Sequence, residues 1–145
     1  MLRFDQVSKR YPGSGEVLKN VSFTVERGRM AFITGHSGAG KSTVLRLAAM
    51  MERPTRGNIL LADKNITRIS AHGVPFLRRR LGLIFQDYRL LYDRTVFDNV
   101  ALPLLIAGFG PDEIERRTRA ALNKVGLAGF ERRYPVTLSG GEQQR

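Results

Sequence analysis

From Gly35 to Ser42 the chain reads Gly-His-Ser-Gly-Ala-Gly-Lys-Ser, with three glycines in six positions followed by a lysine and a hydroxyl. On its amino side Met30-Ala31-Phe32-Ile33-Thr34 is apolar nearly throughout, the pattern of a strand covered on both faces by helices in a parallel sheet. On its carboxyl side Val44, Leu45, Leu47, Ala48 and Met51 recur at helical spacing until Glu52-Arg53-Pro54-Thr55-Arg56-Gly57 ends the pattern. A buried strand, a glycine loop and a helix in that order point to an α/β fold with a ligand at the loop.

The ligand follows from backbone chemistry. Wrapping a polyanion needs successive N–H groups pointing inward, dihedral angles open to glycine, and no side chain between the main chain and the anion. The string fits G-x-x-x-x-G-K-[ST], the phosphate-binding P-loop, in the strand-to-helix context that the motif requires. Gly35, His36, Ser37, Gly38, Ala39 and Gly40 are thus expected to line the cradle, with His36 serving as spacing. A helix beginning near Gly40 adds unpaired donors and the positive end of its dipole. Lys41 is expected to reach the outer phosphates, Ser42 to offer its hydroxyl to a magnesium ion, and Thr43 to contact the inner phosphate.

Upstream, Val21-Ser22-Phe23-Thr24-Val25 alternates apolar with polar and Leu2-Arg3-Phe4 reads similarly, so a small antiparallel unit opens the chain, with Tyr11-Pro12-Gly13-Ser14-Gly15 as its turn. Ile59-Leu60-Leu61-Ala62 and Leu81-Gly82-Leu83-Ile84-Phe85 read as further strands. Pro111-Asp112-Glu113 enters a helix whose buried face is Ile114, Thr118, Ala121, Leu122 and Val125, and Gly126 stops it. With 145 residues there is material for one domain or part of one. No apolar run reaches the ~18 residues needed to cross a bilayer, and Pro103 interrupts the best candidate, Val100 to Ala107. The absence of cysteine and of a secretory leader points to the cytosol. The net charge of +11, with clusters at Arg78-Arg79-Arg80, Arg116-Arg117-Arg119 and Arg132-Arg133, reads as a solvated basic surface, because no aromatics interleave with the arginines to form a nucleic-acid stacking platform.

At the far end Leu138-Ser139-Gly140-Gly141-Glu142-Gln143-Gln144-Arg145 places Ser three residues before Glu, a capping box that starts a helix. Two glycines inside a first helical turn cost on the order of 1 kcal/mol each relative to alanine, so a cap alone explains them poorly. A second phosphate contact explains them better.

With these two motifs the sequence resembles the ATP-binding cassette (ABC) family, whose signature Leu-Ser-Gly-Gly-Gln/Glu is matched by Leu138 to Glu142. The resemblance implies a P-loop NTPase fold with an antiparallel β subdomain and a parallel or mixed sheet flanked by helices. It implies ATP and Mg2+ as ligands, and cassettes that pair head to tail as a homodimer so that Ser139, Gly140 and Gly141 serve the partner's nucleotide. It further implies that Tyr11 stacks on adenine and that Gln86 is the Q-loop glutamine sensing magnesium and the γ-phosphate. Lys41 and Gln86 are then the catalytic candidates, and Ser42 and Gln86 the metal candidates. Residues 1–29 are expected to form the antiparallel part, 30–85 the P-loop core, 86–138 a helical subdomain and 139–145 the start of the signature helix, together the N-terminal portion of one nucleotide-binding domain. The Walker B aspartate, the following glutamate and the switch histidine are not in the 145 residues, so the resemblance implies ATP hydrolysis by a longer chain and negligible turnover by this piece.

Within the family the likeness is to the bacterial cell-division branch. It rests on the P-loop string, on Val74-Pro75-Phe76-Leu77-Arg78-Arg79, and on Ile84-Phe85-Gln86-Asp87 with Asp93-Arg94-Thr95-Val96. Such a cassette lies peripherally on the cytoplasmic face of the inner membrane and drives an integral, permease-type membrane partner among division-machinery proteins. A lipoprotein-release or small-solute transporter subunit and a non-hydrolytic nucleotide-gated module are the alternatives.

Overall fold

The computed structural model describes residues 1–13 and 15–145. Ser14, expected in the first turn, lies outside the described residues. The chain divides into two compact units, Met1–Gly82 and Leu83–Arg145.

The first unit is built on a four-stranded antiparallel sheet, β1 (Leu2–Tyr11), β2 (Gly15–Val25), β3 (Arg56–Leu61) and β4 (Lys64–Asn65), in the order β2-β1-β3-β4. The alternation read in the sequence sets its register: Phe4 faces Phe23 on β2 and Ile59 on β3, and the two phenylalanine rings stack with centroids 4.6 Å apart. Helix α1 (Lys41–Ala48) turns Val44 and Leu47 inward, where with Met50 they pack among Phe4, Val7, Leu18, Ile59 and Ile66. This core holds the glycine loop in front of α1 against the sheet. Where β3 starts beside a break in the β1 ladder, Gly57 adopts φ +84°, and a Cβ there would sit 2.3 Å from the Gln6 carbonyl oxygen. Only glycine permits that approach.

The end of α1 is tied to the sheet by charge. The Glu52 carboxylate accepts a hydrogen bond from the Tyr11 hydroxyl and pairs with Lys9 Nζ at 3.3 Å and with Arg46 of α1 at 3.4 Å. The Tyr11 hydroxyl first, then the Lys9 ammonium, hold the Glu52 carboxyl below its ordinary range. Arg53 donates to the Thr67 and Ile69 carbonyls. Arg78, on the short helix α2 (Val74–Arg78), donates to Ala49 and Met50 at 3.2 and 2.8 Å.

Two expected strands are not formed. Met30–Thr34 and Leu81–Phe85 carry no ladder, and Met30, Phe32 and Ile84 are 82%, 83% and 94% exposed. The reason is physical: a parallel strand needs a neighbour to receive its hydrogen bonds, and among the described residues the only sheet is the antiparallel one, whose strands pair with each other. The apolar composition of these runs is that of strands, but composition without a pairing partner does not make a ladder.

The second unit is helical. Helix α3 (Val96–Ala107) begins at a reciprocal Thr95–Asp98 capping box and carries Pro103 within it. Helix α4 (Pro111–Lys124) buries Ile114, Thr118 and Leu122, three of the five residues expected on that face, while Ala121 and Val125 lie at its exposed edge. Leu122 packs with Val96, Leu127 and Leu138. On the outer side Arg116 and Arg117 pair with Glu113, and Arg119 with Glu115, so this basic cluster is largely neutralised on its own helix. A 3₁₀ turn (Pro135–Thr137) leads to α5 (Gly140–Gln144). Among the described residues no helix is long and apolar enough to cross a membrane.

Two outcomes follow. Gly57→Ala combines left-handed strain with a backbone clash and should lower unfolding stability by about 2–4 kcal/mol in urea melts; a loss under about 0.5 kcal/mol would contradict the packing described. Because the Glu52 carboxyl is depressed in the folded state, its stabilisation is present above the ordinary value of 4.5 and lost as pH falls below it. With the side chain 22% exposed, Glu52→Gln should cost less than about 1 kcal/mol at pH 7. That gap should close as melts are repeated from pH 4.5 downward; a gap constant with pH would show that the ionised carboxylate contributes nothing.

Candidate functional site

The glycine loop has the backbone that its sequence requires. Gly35, Gly38 and Gly40 sit at φ +145°, +81° and +91°, and Ala39 N–H donates to the His36 carbonyl at 3.2 Å to close the turn. The three glycines differ in what they face. A Cβ on Gly40 would meet Leu18 Cδ2 at 2.7 Å and Val17 Cγ1 at 3.3 Å, so β2 packs directly on the loop there; a Cβ on Gly38 would meet nothing within 4 Å, so the loop is open on that side.

Helix α1 begins immediately after Gly40 with no side-chain cap and no acidic residue in its first turn. Among the described residues the amides of Lys41, Ser42 and Thr43 have no hydrogen-bond acceptor. Orphan donors at a helix start combine with the dipole to make a site for an anion. Lys41 is folded onto the loop itself, its ammonium donating to the Gly35 and His36 carbonyls at 2.8 and 2.7 Å. Ser42 is exposed, whereas Thr43 is buried. The His36 ring nitrogen bonds the adjacent Ser37 carbonyl at 2.7 Å. A cation, bare amides and a hydroxyl thus converge on one open loop, which can hold a multiply charged anion.

Tyr11 closes β1 in the same unit, beside a groove lined by Arg10, Pro12, Gly13, Gly15 and Thr55. The Lys9 ammonium lies 4.9 Å from its ring centroid, and its hydroxyl is held by Glu52. Sequence reasoning did not single out Glu52 or Lys9. Tyr11 and Glu52 are 41 positions apart, and no local pattern joins them.

In the second unit Gln86 is exposed in a turn. It precedes Tyr88 and Arg89, both left-handed at φ 51°, and the Arg89 guanidinium stacks on Phe85 at 4.1 Å. The segment that follows is clasped by Asn99 of α3. Its Oδ1 accepts from Leu91 N–H at 2.8 Å, and its Nδ2 donates to the Leu91 and Thr95 carbonyls at 3.0 and 2.9 Å. Asn99 also went unnoticed in the sequence, although the Thr95-x-x-Asp98 cap beside it was a legible signal for the helix that carries it.

The expected cap at Ser139 is present. Ser139 N–H and Oγ–H both donate to Glu142 Oε2 at 2.7 Å, and Glu142 N–H returns to Ser139 Oγ. The Ser139 hydroxyl and its amide hold the Glu142 carboxyl below its ordinary range. Gly140 and Gly141 are exposed, and a Cβ on either would meet nothing within 4 Å. Nothing inside this unit therefore requires glycine at these positions.

Comparison with known proteins fits this geometry. The family model described as "ABC transporter" matches residues 18–145. The chain is 56% identical over 145 residues to the cell division ATP-binding protein FtsE of Escherichia coli (strain K12), covering 100% of the chain and 65% of that protein. It is 48% identical to FtsE of Haemophilus influenzae (strain ATCC 51907 / DSM 11121 / KW20 / Rd) over 146 residues, covering 100% of the chain and 67% of that protein. It is also 48% identical to the methionine import ATP-binding protein MetN of Rhizobium meliloti (strain 1021) over 147 residues, covering 98% of the chain and 41% of that protein. Among solved structures it superimposes on the dimeric ABC transporter cassette MJ0796 with a TM-score of 0.90 at 30% identity, covering 99% of the chain and 65% of that one. A post-hydrolysis state of MJ0796 bound to ADP and Pi gives the same values. The chain thus spans about two thirds of the length of the FtsE proteins it matches. With a family model matched over most of its length and both sequence motifs in place, the chain belongs to the ABC transporter family of ATP-binding cassettes.

Proposed function

We propose that this chain is the nucleotide-binding part of an FtsE-like ATPase subunit that couples ATP binding and hydrolysis to an FtsX-like integral membrane partner in bacterial cell division, regulating peptidoglycan hydrolysis. The observation that carries the reading is the run of acceptor-free amides at Lys41, Ser42 and Thr43 behind an open glycine loop. The loop from Gly35 to Gly40 holds the polyphosphate by its main chain, Lys41 exchanges the Gly35 and His36 carbonyls for the outer phosphates, and Thr43 lies beside the inner phosphate. Tyr11 stacks on the adenine.

The residues present suit magnesium. The exposed Ser42 hydroxyl is a hard donor at the end of the glycine loop, the part of Gln86 in holding the ion rests on the family likeness alone, and among the described residues no cluster of three acidic, histidine or cysteine side chains offers a closed all-protein cage. That is how magnesium binds on nucleotides, through one or two protein oxygens with phosphates and water filling the rest. When bound, the ion neutralises charge on the transferring phosphate.

Gly140 and Gly141 are glycine although nothing in their own unit demands it, which supports an approach from outside by a second cassette's nucleotide in a homodimer. The dimeric form of MJ0796 supports the same reading. Work with a membrane partner and other division proteins at the cytoplasmic face of the inner membrane rests on the likeness to FtsE. The identity to MetN supports a second reading, the ATPase subunit of a small-solute importer.

Calorimetric titration with Mg-ATP tests the shared claim. The protein should bind, and Lys41→Ala should weaken binding about 10- to 100-fold, the worth of a charge-assisted contact of about 1.5–3 kcal/mol. Equal affinity of the folded variant and the wild type would overturn the assignment. Co-purification with an FtsX-type membrane protein, set against a methionine-importer permease, separates the two readings.

A further inference from the structure

Glu52 stands on the turn just beyond α1 and is used by nothing in the phosphate cradle. Its surroundings are unusually determined for a partly exposed carboxylate. The Tyr11 hydroxyl donates to Oε2, Lys9 Nζ approaches Oε2 to 3.3 Å and Arg46 approaches Oε1 to 3.4 Å. The neighbouring backbone is laced to the end of β1 as well. Lys9 Nζ donates to the Arg53 carbonyl at 2.8 Å, Thr55 N–H to the Ser8 carbonyl at 2.8 Å, and Arg10 N–H to Thr55 Oγ1 at 2.9 Å. The carboxylate therefore sits on a fixed base.

A tyrosine held at its hydroxyl cannot swing, because the far end of its two-torsion side chain is anchored. Lys9 adds a second restraint. Its ammonium lies 4.9 Å from the Tyr11 centroid, within cation–π range, so one ring face is taken and stacking is confined to the other. We propose that Glu52, with Lys9, is a positioning residue that fixes the plane of the Tyr11 ring for adenine, so that α1 sets both ends of the nucleotide: phosphates at its first turn, base through the residue beyond its last. This deepens the nucleotide-binding reading and rests on it. Arg46 of α1, paired with the same carboxylate, keeps Glu52 registered to the helix.

A merely structural tie between β1 and α1 would weaken every ligand of the loop alike. Positioning of the base would not. The test is therefore the affinity for Mg-ATP against that for inorganic triphosphate with Mg2+, measured on folded wild type, Glu52→Ala, Glu52→Gln, Tyr11→Phe and the Glu52→Ala/Tyr11→Phe double variant, with Lys41→Ala as reference. Freeing a rotamer-rich side chain should weaken ATP about 3- to 10-fold in Glu52→Ala and in Tyr11→Phe and leave triphosphate unchanged. The double variant should lose no more than either single one, and Glu52→Gln, which keeps an acceptor for the hydroxyl, should retain most of the affinity. Equal losses for ATP and triphosphate in Glu52→Ala, no loss for either, or additive losses in the double variant would overturn the proposal while leaving the nucleotide reading intact, provided that Lys41→Ala weakens both ligands. If Lys41→Ala weakens neither, the nucleotide reading fails and this proposal with it.

Discussion

The amide hydrogens of the first turn of α1 need acceptors, and the chain offers no capping side chain to supply them: Gly40 stands at the cap position and no acid follows in the first turn. In an ordinary helix a glycine in place of a capping side chain costs roughly a few tenths of a kcal/mol. Here it leaves a row of donors behind a loop in which Gly35, Gly38 and Gly40 keep three positions free of side chains. The rest of the first unit maintains this arrangement. The core of Phe4, Val7, Leu18, Leu47 and Ile59 fixes α1 to the sheet, and Leu18 and Val17 press on Gly40 so that the loop cannot relax toward the sheet.

Two of the three helix starts in the second unit, those of α3 and α5, solve the same problem differently. Thr95 and Ser139 both cap with a reciprocal acid three residues on. At Thr95 the first turn then continues with Val96, which is buried in the core. At Ser139 it continues with two exposed glycines that no neighbour requires. The cap is thus complete in itself and yet followed by bare backbone that is open to solvent.

What could be read in the sequence was what is local. The glycine string, the helix after it, the alternation of β2, the entry of α4 at Pro111 and the Ser139–Glu142 box each depend on residues within a turn or two of one another, and each is found in the structure. Met30–Thr34 and Leu81–Phe85 show the limit, because their composition is that of strands but a ladder is a property of two segments. The Tyr11–Glu52–Lys9 group was equally hidden. The contact is made by the antiparallel pairing of β1 with β3, which brings the end of β1 to the turn after α1. Asn99 was invisible for the same reason, since its partners Leu91, Arg94 and Thr95 lie in the segment before α3, whose path only the folded chain reveals.

The central claim is that main-chain amides at the start of α1, not side chains alone, hold the nucleotide. Amide chemical shifts of the isotopically labelled protein, followed through a titration with Mg-ATP, address it directly. The largest perturbations should fall on Gly38, Gly40, Lys41 and Ser42, with Thr43 behind them, and should persist in reduced form when inorganic triphosphate replaces the nucleotide. Saturable binding that leaves these five amides unmoved would contradict the account.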